Sequence, residues 1–193
     1  MIEVVNFEHL IGMEGFSETL LRNHFTLYQG YVTNTNKLLE TLRAMSKEGK
    51  FTPEYAELRR RLGWEWNGAR LHELYFNNLS KTEHGEPGKE SPLYQAIEKN
   101  FGSFEDFKKE FLAIGAMRGI GWVILYHDKC TDMLFNQWIN EHDVGHPAGA
   151  RPLLVMDVFE HAYITDYGLK RADYLEAFWR NINFKKVEER FLK

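Results

Sequence analysis

Cysteine is almost absent from this sequence of 193 residues, because Cys130 is the only one. A single cysteine excludes an internal disulfide, and unpaired cysteine is typical of proteins in a reducing compartment. The first ten residues, MIEVVNFEHL, also lack the basic start and the apolar run of a secretory signal. We therefore expect a cytoplasmic protein.

Long apolar runs and an excess of positive charge are missing as well. No apolar stretch approaches the roughly 20 residues that cross a bilayer, so we expect no membrane partner. The formal net charge is −4, and no segment forms a basic stripe. Nucleic-acid binding depends on clustered Lys and Arg, so we expect no nucleic-acid partner either.

Apolar residues are plentiful, and they predict a folded protein that is helical in its first half. Hydrophobic residues make up 44% and aromatic residues 15% of the chain. Ser17 is a suitable cap for a helix over residues 18–47, and Thr52 followed by Pro53 predicts the start of a second helix. Gly63 is a candidate break in that second helix. Two long helices joined by a short turn predict an antiparallel hairpin.

The second half of the chain has the pattern of a mixed helix and sheet domain. The polar segment 81–92, KTEHGEPGKESP, is rich in Gly and Pro and predicts a boundary between domains 1–83 and 90–193. We predict helices at 93–100 and 104–117, strands at 119–127, 131–138 and 153–156, and a return to helix from Phe159. The predicted fold class is α+β, with an N-terminal α-hairpin and a three-stranded antiparallel sheet in the C-terminal lobe.

Three of the eight histidines lie in strongly apolar stretches, namely His24, His72 and His161. Asp157 closes the apolar run 153–156, where an unpaired carboxylate would be costly. A shared metal ion is a partner that several buried imidazoles and a carboxylate can have in common. Three imidazoles and one carboxylate suit iron, manganese or zinc. Three further histidines lie in turns or at element ends among polar neighbours, and we interpret them as structural residues: His9, His84 and His127.

Several segments together resemble the iron/manganese superoxide dismutases. The strongest is DVFEHAY at 157–163, which is similar to that family's signature Asp-x-Trp/Phe-Glu-His-Ala-Tyr. Further matching segments occur in the family's order along almost the whole chain: YVTN at 31–34, ARLHELY at 69–75, FGSFEDF at 101–107, GIGW at 119–122 and RADYLEAFW at 171–179.

The resemblance implies a superoxide dismutase that converts two superoxide anions to oxygen and hydrogen peroxide. One iron or manganese ion per subunit would cycle between its trivalent and divalent states. The implied metal ligands are His24, His72, Asp157 and His161. Tyr31 would match the tyrosine that gates access to the metal, and three aromatic residues would line the pocket: Trp122, Phe159 and Tyr163.

The resemblance also implies roles for residues around the ligands. Members of the family place a Gln or His beside the metal-bound solvent, from one of two positions. Gly68 occupies one of these and has no side chain, so His142 is assigned the role, with a structural loop histidine as the alternative. Arg171 is a candidate for steering the superoxide anion, as is Lys170, for which a plain surface charge is the alternative reading.

The family's subunit contact is carried by the glutamate of the signature, which is Glu160 here. In the family this glutamate bonds the ligand histidine of a neighbouring subunit. The resemblance therefore implies a homodimer, with a tetramer as the alternative.

The first helix departs from the family pattern. The usual distance from ligand histidine to gating tyrosine is eight residues, whereas His24 and Tyr31 are seven apart, and Leu27 and Tyr28 stand near the places of two inner histidines. At roughly 100° per residue, a step of seven returns to within about 20° of the starting face. A regular helix is therefore expected to place His24 and Tyr31 on one face.

Two other functions are compatible with a fold of this kind. One is a catalytically silent relative that acts as a structural or binding module, against which the retention of all four ligand types argues. The other is a metal-dependent hydrolase or oxygenase. The resemblance assigns no extra carboxylate or nucleophile to the ligand set, so nothing supports that alternative.

Overall fold

The helical hairpin predicted for the first half is present. The computed structural model describes residues 1–193, and its first lobe is built from α1 (Glu18–Lys47) and α2 (Pro53–Asn77), which pack together. The bounds predicted for α1 are confirmed. Its first turn is closed by Ser17, whose hydroxyl accepts a hydrogen bond from the backbone N–H of Leu20 at 3.0 Å.

The second helix is continuous, so Gly63 does not break it. Thr52 caps α2 by accepting from the N–H of Tyr55. Gly63 is exposed and stands in open space, with no atom within 4 Å of the place of a Cβ. Glycine in a helix interior costs only about 1 kcal/mol relative to alanine, which a helix of 25 residues tolerates.

The second lobe contains five further helices and one sheet. Its elements are α3 (Pro92–Phe101), α4 (Phe104–Gly115), β1 (Gly121–Asp128), β2 (Met133–Asn140), β3 (Arg151–Asp157), α5 (Ile164–Tyr167), α6 (Arg171–Arg180) and α7 (Phe184–Phe191). Short 3₁₀ turns lie at Glu8–Leu10 and Glu160–Ala162. The sheet order is β2-β1-β3 and both pairings are antiparallel, which confirms the α+β fold class. No helix has the length and apolar character needed to cross a membrane.

The first two strands begin two residues later than predicted because backbone conformation and turn contacts displace them. Gly121, the first residue of β1, has a φ of 151°, and a Cβ there would lie 2.0 Å from the carbonyl oxygen of Ile139, so only glycine fits where the β1–β2 ladder begins. Between β1 and β2, the carboxylate of Asp128 accepts from the N–H of Cys130 and the hydroxyl of Thr131. Those contacts hold the residues in a turn instead of a strand.

The third strand is longer than predicted. It begins at Arg151 and includes Pro152, which is paired with Tyr126 next to a register shift between Leu125 and Tyr126. Proline cannot donate to a ladder, and a bulge is a place where a sheet tolerates it. The strand ends at Asp157, opposite Trp122 of the central strand.

The first part of the segment predicted as a domain boundary, together with Ser80 before it, runs beside residues 181–182 of the C-terminal lobe. The N–H of Ser80 donates to the carbonyl of Asn181 at 3.0 Å, and that of Gly85 donates to the carbonyl of Ile182 at 3.3 Å. The division into domains 1–83 and 90–193 stays a prediction.

Arg190 joins the two lobes from the last helix. Its guanidinium donates to the carbonyl of Leu153 on β3 (2.6 Å), to the carbonyl of Leu74 near the end of α2 (3.3 Å) and to the side-chain oxygen of Asn78. Burial lowers the pKa of Arg190 to about 10. The half-buried guanidinium thus has only neutral oxygens as hydrogen-bond partners, and it satisfies carbonyls at the lobe boundary.

Replacing Arg190 by methionine is expected to destabilise the protein. Arg190→Met keeps an apolar stem but removes the guanidinium hydrogen bonds to these oxygens, so the free energy of unfolding should fall by about 2 kcal/mol and Tm by about 4–8 °C. Urea and thermal unfolding measure both. Arg180→Met, at an exposed arginine at the end of α6, is the control and should change the free energy by less than about 0.5 kcal/mol. Equal effects of the two substitutions would contradict this role for Arg190.

Candidate metal centre

Four potential metal ligands meet between the two lobes. His24 comes from α1, His72 from α2, Asp157 from the end of β3 and His161 from the following 3₁₀ turn, and their ligand atoms all lie within 4.8 Å of one another. The Oδ2 atom of Asp157 is 3.0 Å from Nε2 of His161, 3.2 Å from Nε2 of His24 and 3.5 Å from Nε2 of His72. The four residues predicted as ligands are therefore brought together.

Hydrogen bonds orient two of these side chains toward the common centre. Nδ1–H of His72 donates to the carbonyl of Gly68 at 2.5 Å, so Nε2 of His72 carries the lone pair. That Nε2 is buried and has no hydrogen-bond partner. Oδ1 of Asp157 accepts from the N–H of Phe159 at 2.8 Å, which leaves Oδ2 for the centre. A buried acceptor without a donor is what a metal ion would satisfy, so the residues fit a bound ion.

The protonation states of the ligands also suit a metal. Burial lowers the pKa of His24, and lowers that of His72 further, so both imidazoles are neutral near pH 7. Burial alone would raise the pKa of Asp157, but the neighbouring His161 and His24 outweigh it and hold the pKa below its usual value. Neutral imidazoles and an ionised carboxylate are the forms that coordinate metals.

The regular first helix places its ligand and the predicted gating tyrosine on one face. The Tyr31 ring stacks on the His72 ring at a centroid distance of 5.2 Å, and the His24 ring lies 5.0 Å from the His72 ring. The expectation from the seven-residue spacing is thus confirmed.

Tyr28, near the place of a lost inner histidine, turns toward α2. Its hydroxyl donates to Glu73 at 3.0 Å and accepts from the N–H of Val5 at 3.0 Å. Burial, opposed by the bond from Val5, raises the pKa of Tyr28 to about 12. Tyr28 therefore ties the N-terminal segment to the hairpin.

His142 lies beside the four ligands in a chain of hydrogen bonds. Nε1–H of Trp122 donates to Nδ1 of His142 at 3.1 Å, so the proton of the neutral ring is on Nε2. Nε2–H then donates to the hydroxyl oxygen of Tyr31 at 2.8 Å. The His142 side chain is fully buried, and burial lowers its pKa to about 4.

Gly68 is required by the close approach of Tyr31. A Cβ at position 68 would lie 2.5 Å from Cδ1 of the Tyr31 ring. Position 68 cannot supply a side chain beside the ligands while Tyr31 keeps its place. The polar side chain next to Tyr31 comes instead from the other lobe, where His142 forms a hydrogen bond with the Tyr31 hydroxyl.

Trp64 also belongs to this region, and sequence reasoning missed it. Its ring lies 4.5 Å from His142 and 5.5 Å from Tyr31, and its Nε1–H donates to the carboxylate of Glu141 at 3.2 Å. The guanidinium of Arg61 covers it at 3.8 Å. The available signal was its spacing of four residues before Gly68 on the same helix, which places the two on neighbouring turns of one face.

The remaining predicted aromatic residues lie at different depths. Trp122 is fully buried, 5.0 Å from the His72 ring, and Phe159 stacks between the rings of His142 (4.8 Å) and His161 (5.1 Å). Tyr163 instead packs on Tyr174 at 5.5 Å. Tyr174 in turn donates its hydroxyl hydrogen to the backbone carbonyl of Asp157 at 2.6 Å. Tyr163 is therefore connected to the ligand Asp157 through Tyr174.

The charged residues predicted around the centre lie outside the ligand cluster. The guanidinium of Arg171 lies over the Tyr163 ring at 5.8 Å and donates to the carbonyl of Gly119 at 3.0 Å. Nε and Nη2 of Arg171 are buried and without a hydrogen-bond partner. Lys170 and Glu160 are exposed in the single chain.

Three imidazole nitrogens and one carboxylate oxygen, held between a helical hairpin and an α+β lobe, form a ligand group that suits a single transition-metal ion. The family profile "Iron/manganese superoxide dismutases, C-terminal domain" matches residues 89–190. The superoxide dismutase [Fe] of Methanothermobacter thermautotrophicus is 39% identical over 178 residues, covering 90% of this chain and 85% of that protein.

Two other relatives extend the comparison to both metals. The superoxide dismutase [Fe] of Aquifex pyrophilus is 37% identical over 187 residues, covering 94% of this chain and 86% of that protein. The superoxide dismutase [Mn] 2 of Haloferax volcanii is 34% identical over 174 residues, covering 90% and 85%. The chain belongs to the iron/manganese superoxide dismutase family.

The contact between Gly68 and Tyr31 gives a test within one helix. Gly68→Ala forces a methyl group into the Tyr31 ring, so the free energy of unfolding should fall by about 1–3 kcal/mol. Gly63→Ala is the matched control, because no atom lies within 4 Å of its Cβ position, and it should raise the free energy by about 0.5–1 kcal/mol. Urea unfolding distinguishes the two, and effects of the same sign would contradict the close approach.

Proposed function

We propose that this protein removes superoxide by converting two superoxide anions to oxygen and hydrogen peroxide at one iron or manganese ion per subunit. The main support is that Nε2 of His72 is buried and has no hydrogen-bond partner. It lies close to Oδ2 of Asp157 and to ring nitrogens of His24 and His161. The metals named for the relatives, iron and manganese, both suit nitrogen and oxygen ligands. When bound, the ion supplies a redox couple that takes an electron from one superoxide and gives it to another.

His142 and Tyr31 are proposed to hold a proton beside the substrate. The Tyr31 oxygen accepts from Nε2–H of His142, so its own O–H is free to donate toward the centre. Burial, and after it the negative charge of Asp157, raises the pKa of Tyr31, which keeps the phenol protonated. Peroxide formation consumes two protons, and the phenol is proposed to donate one of them.

Arg171 is proposed to attract the anion toward the site. The net charge of −4 would repel superoxide, so a local cation is needed to favour its approach. Two nitrogen atoms of Arg171 have no partner in the chain, which leaves its charge without a carboxylate neighbour. Lys170 is exposed next to it and is proposed to add to the same local field.

A homodimer is the proposed assembly, with a tetramer of two such dimers as the alternative. Glu160 is exposed although it precedes the ligand His161, and two apolar residues that follow it in sequence are also exposed, Ile164 (45%) and Leu169 (96%). A two-fold contact is self-complementary, so one carboxylate and one ligand histidine from each copy would pair across it. A cytoplasmic location is proposed from the single, unpaired Cys130.

Removing one ligand tests the metal centre. His72→Ala leaves only three of the four ligands, so we expect less than about a tenth of the wild-type metal content and a matching loss of superoxide removal. Elemental analysis and a superoxide assay on the purified protein measure both. The control is His84→Ala, at an exposed histidine, which should leave metal and activity unchanged. A metal-loaded wild-type protein that does not remove superoxide would support the silent relative instead.

Removing the exposed glutamate tests the assembly. Glu160→Ala should raise the dissociation constant of the dimer at least about ten-fold, because each copy loses one charged contact across the two-fold axis. Analytical ultracentrifugation over a dilution series measures this constant. Glu83→Ala, at an exposed glutamate in the segment between the lobes, should leave it unchanged. An unchanged constant for Glu160→Ala would contradict the proposed contact.

A further inference from the structure

The loop that carries His142 has a backbone conformation that needs external support. Glu141, directly before His142, has a φ of 51°. This left-handed conformation costs a non-glycine residue about 1 kcal/mol or more, and it persists only where surrounding contacts fix it. The Asn140 N–H donates to the carbonyl of Val144 at 2.9 Å, which closes the loop but leaves the carbonyl of His142 to another partner.

His146 supplies that partner. Its ring nitrogen Nε2 lies 2.9 Å from the backbone carbonyl oxygen of His142, and its Nδ1 lies 2.7 Å from the hydroxyl of Tyr126. A carbonyl oxygen can only accept, so Nε2 of His146 carries a hydrogen. With one hydrogen on the ring, at Nε2, Nδ1 accepts and Tyr126 donates to it.

The central strand therefore holds His142 at two points. Trp122 and Tyr126 are four residues apart on β1, and side chains at even spacing along a strand lie on one face of the sheet. Trp122 forms a hydrogen bond with the imidazole ring of His142, whereas Tyr126 is linked to the His142 backbone carbonyl by hydrogen bonds through His146. Together these contacts fix both the position of the His142 backbone and the rotation of its ring.

We propose that His146 is a positioning residue that sets the geometry of His142 toward Tyr31 and the metal ligands. This proposal rests on the proposed function in one respect, since it assigns His142 a role beside the substrate. Loss of His146 should free the loop, lengthen the bond between Nε2–H of His142 and the Tyr31 oxygen, and leave all four metal ligands in place.

The first experiment removes the two bonds and then restores them. His146→Phe keeps a ring but neither donates nor accepts, so the iron- or manganese-loaded protein should keep one ion per subunit while superoxide removal falls by about ten-fold. His146→Gln offers an amide N–H to the His142 carbonyl and an oxygen to Tyr126, so it should recover most of the activity. Tyr126→Phe should show part of the loss, and it replaces His146→Phe as the test if that variant does not fold.

The second experiment separates positioning from a general structural effect. Azide titration of the metal-loaded protein, followed by visible absorption, reports the surroundings of the metal without requiring turnover. If His146 acts through His142, His146→Phe should shift the azide affinity in the wild-type background and have no further effect in a His142→Ala background. His84→Phe should change neither quantity.

The outcomes decide both questions separately. Unchanged azide affinity in His146→Phe, or equal effects of this substitution with and without the His142 side chain, would overturn the positioning role. A wild-type protein that binds azide but does not remove superoxide would overturn the proposed function, while the azide cycle would still test the positioning of His142.

Discussion

The buried carboxylate of Asp157, surrounded by three imidazole nitrogens, is the interaction on which the rest of the structure depends. A fully buried ionised group is costly unless every lone pair has a partner. Here Oδ1 accepts from the N–H of Phe159, while Oδ2 lies within 3.5 Å of Nε2 of all three histidines. Two of those histidines belong to the hairpin, so the lobes must meet at this carboxylate.

The residues around the ligands are arranged by the same meeting of lobes. Tyr31 comes from the hairpin and His142 from the loop between β2 and β3, and their hydrogen bond at 2.8 Å crosses the boundary. Gly68 makes room for the Tyr31 ring, and Trp64 covers the pair from the hairpin side. The geometry of the centre is therefore shared between the lobes.

Much of the fold and the ligand set could be predicted because the controlling signals are local. Ser17 determines where α1 begins through a bond to an N–H three residues later, and the ligand Asp157 closes an apolar strand next to a distinctive segment. The seven-residue step from His24 to Tyr31 needed only helix geometry. These inferences use neighbours in sequence, and the roles given to Asp157 and Tyr31 also used the resemblance of the surrounding segments to the family.

The features that sequence reasoning missed depend on contacts between distant residues. The need for glycine at position 121 comes from the close approach of the Ile139 carbonyl, and Trp64 matters because His142 packs on it from the other lobe. His146 looks like an ordinary loop histidine until Tyr126 and the His142 carbonyl are seen on its two nitrogens. The spacing of residues along the chain does not predict these contacts, because they form only when the lobes and the sheet assemble.

The most direct measurement is anomalous X-ray diffraction at the iron and manganese absorption edges from crystals of the protein with its native metal. The account predicts one peak per subunit, at coordination distance from Nε2 of His24, His72 and His161 and from Oδ2 of Asp157. An active protein whose metal lies elsewhere, or is not coordinated by His24, would contradict it.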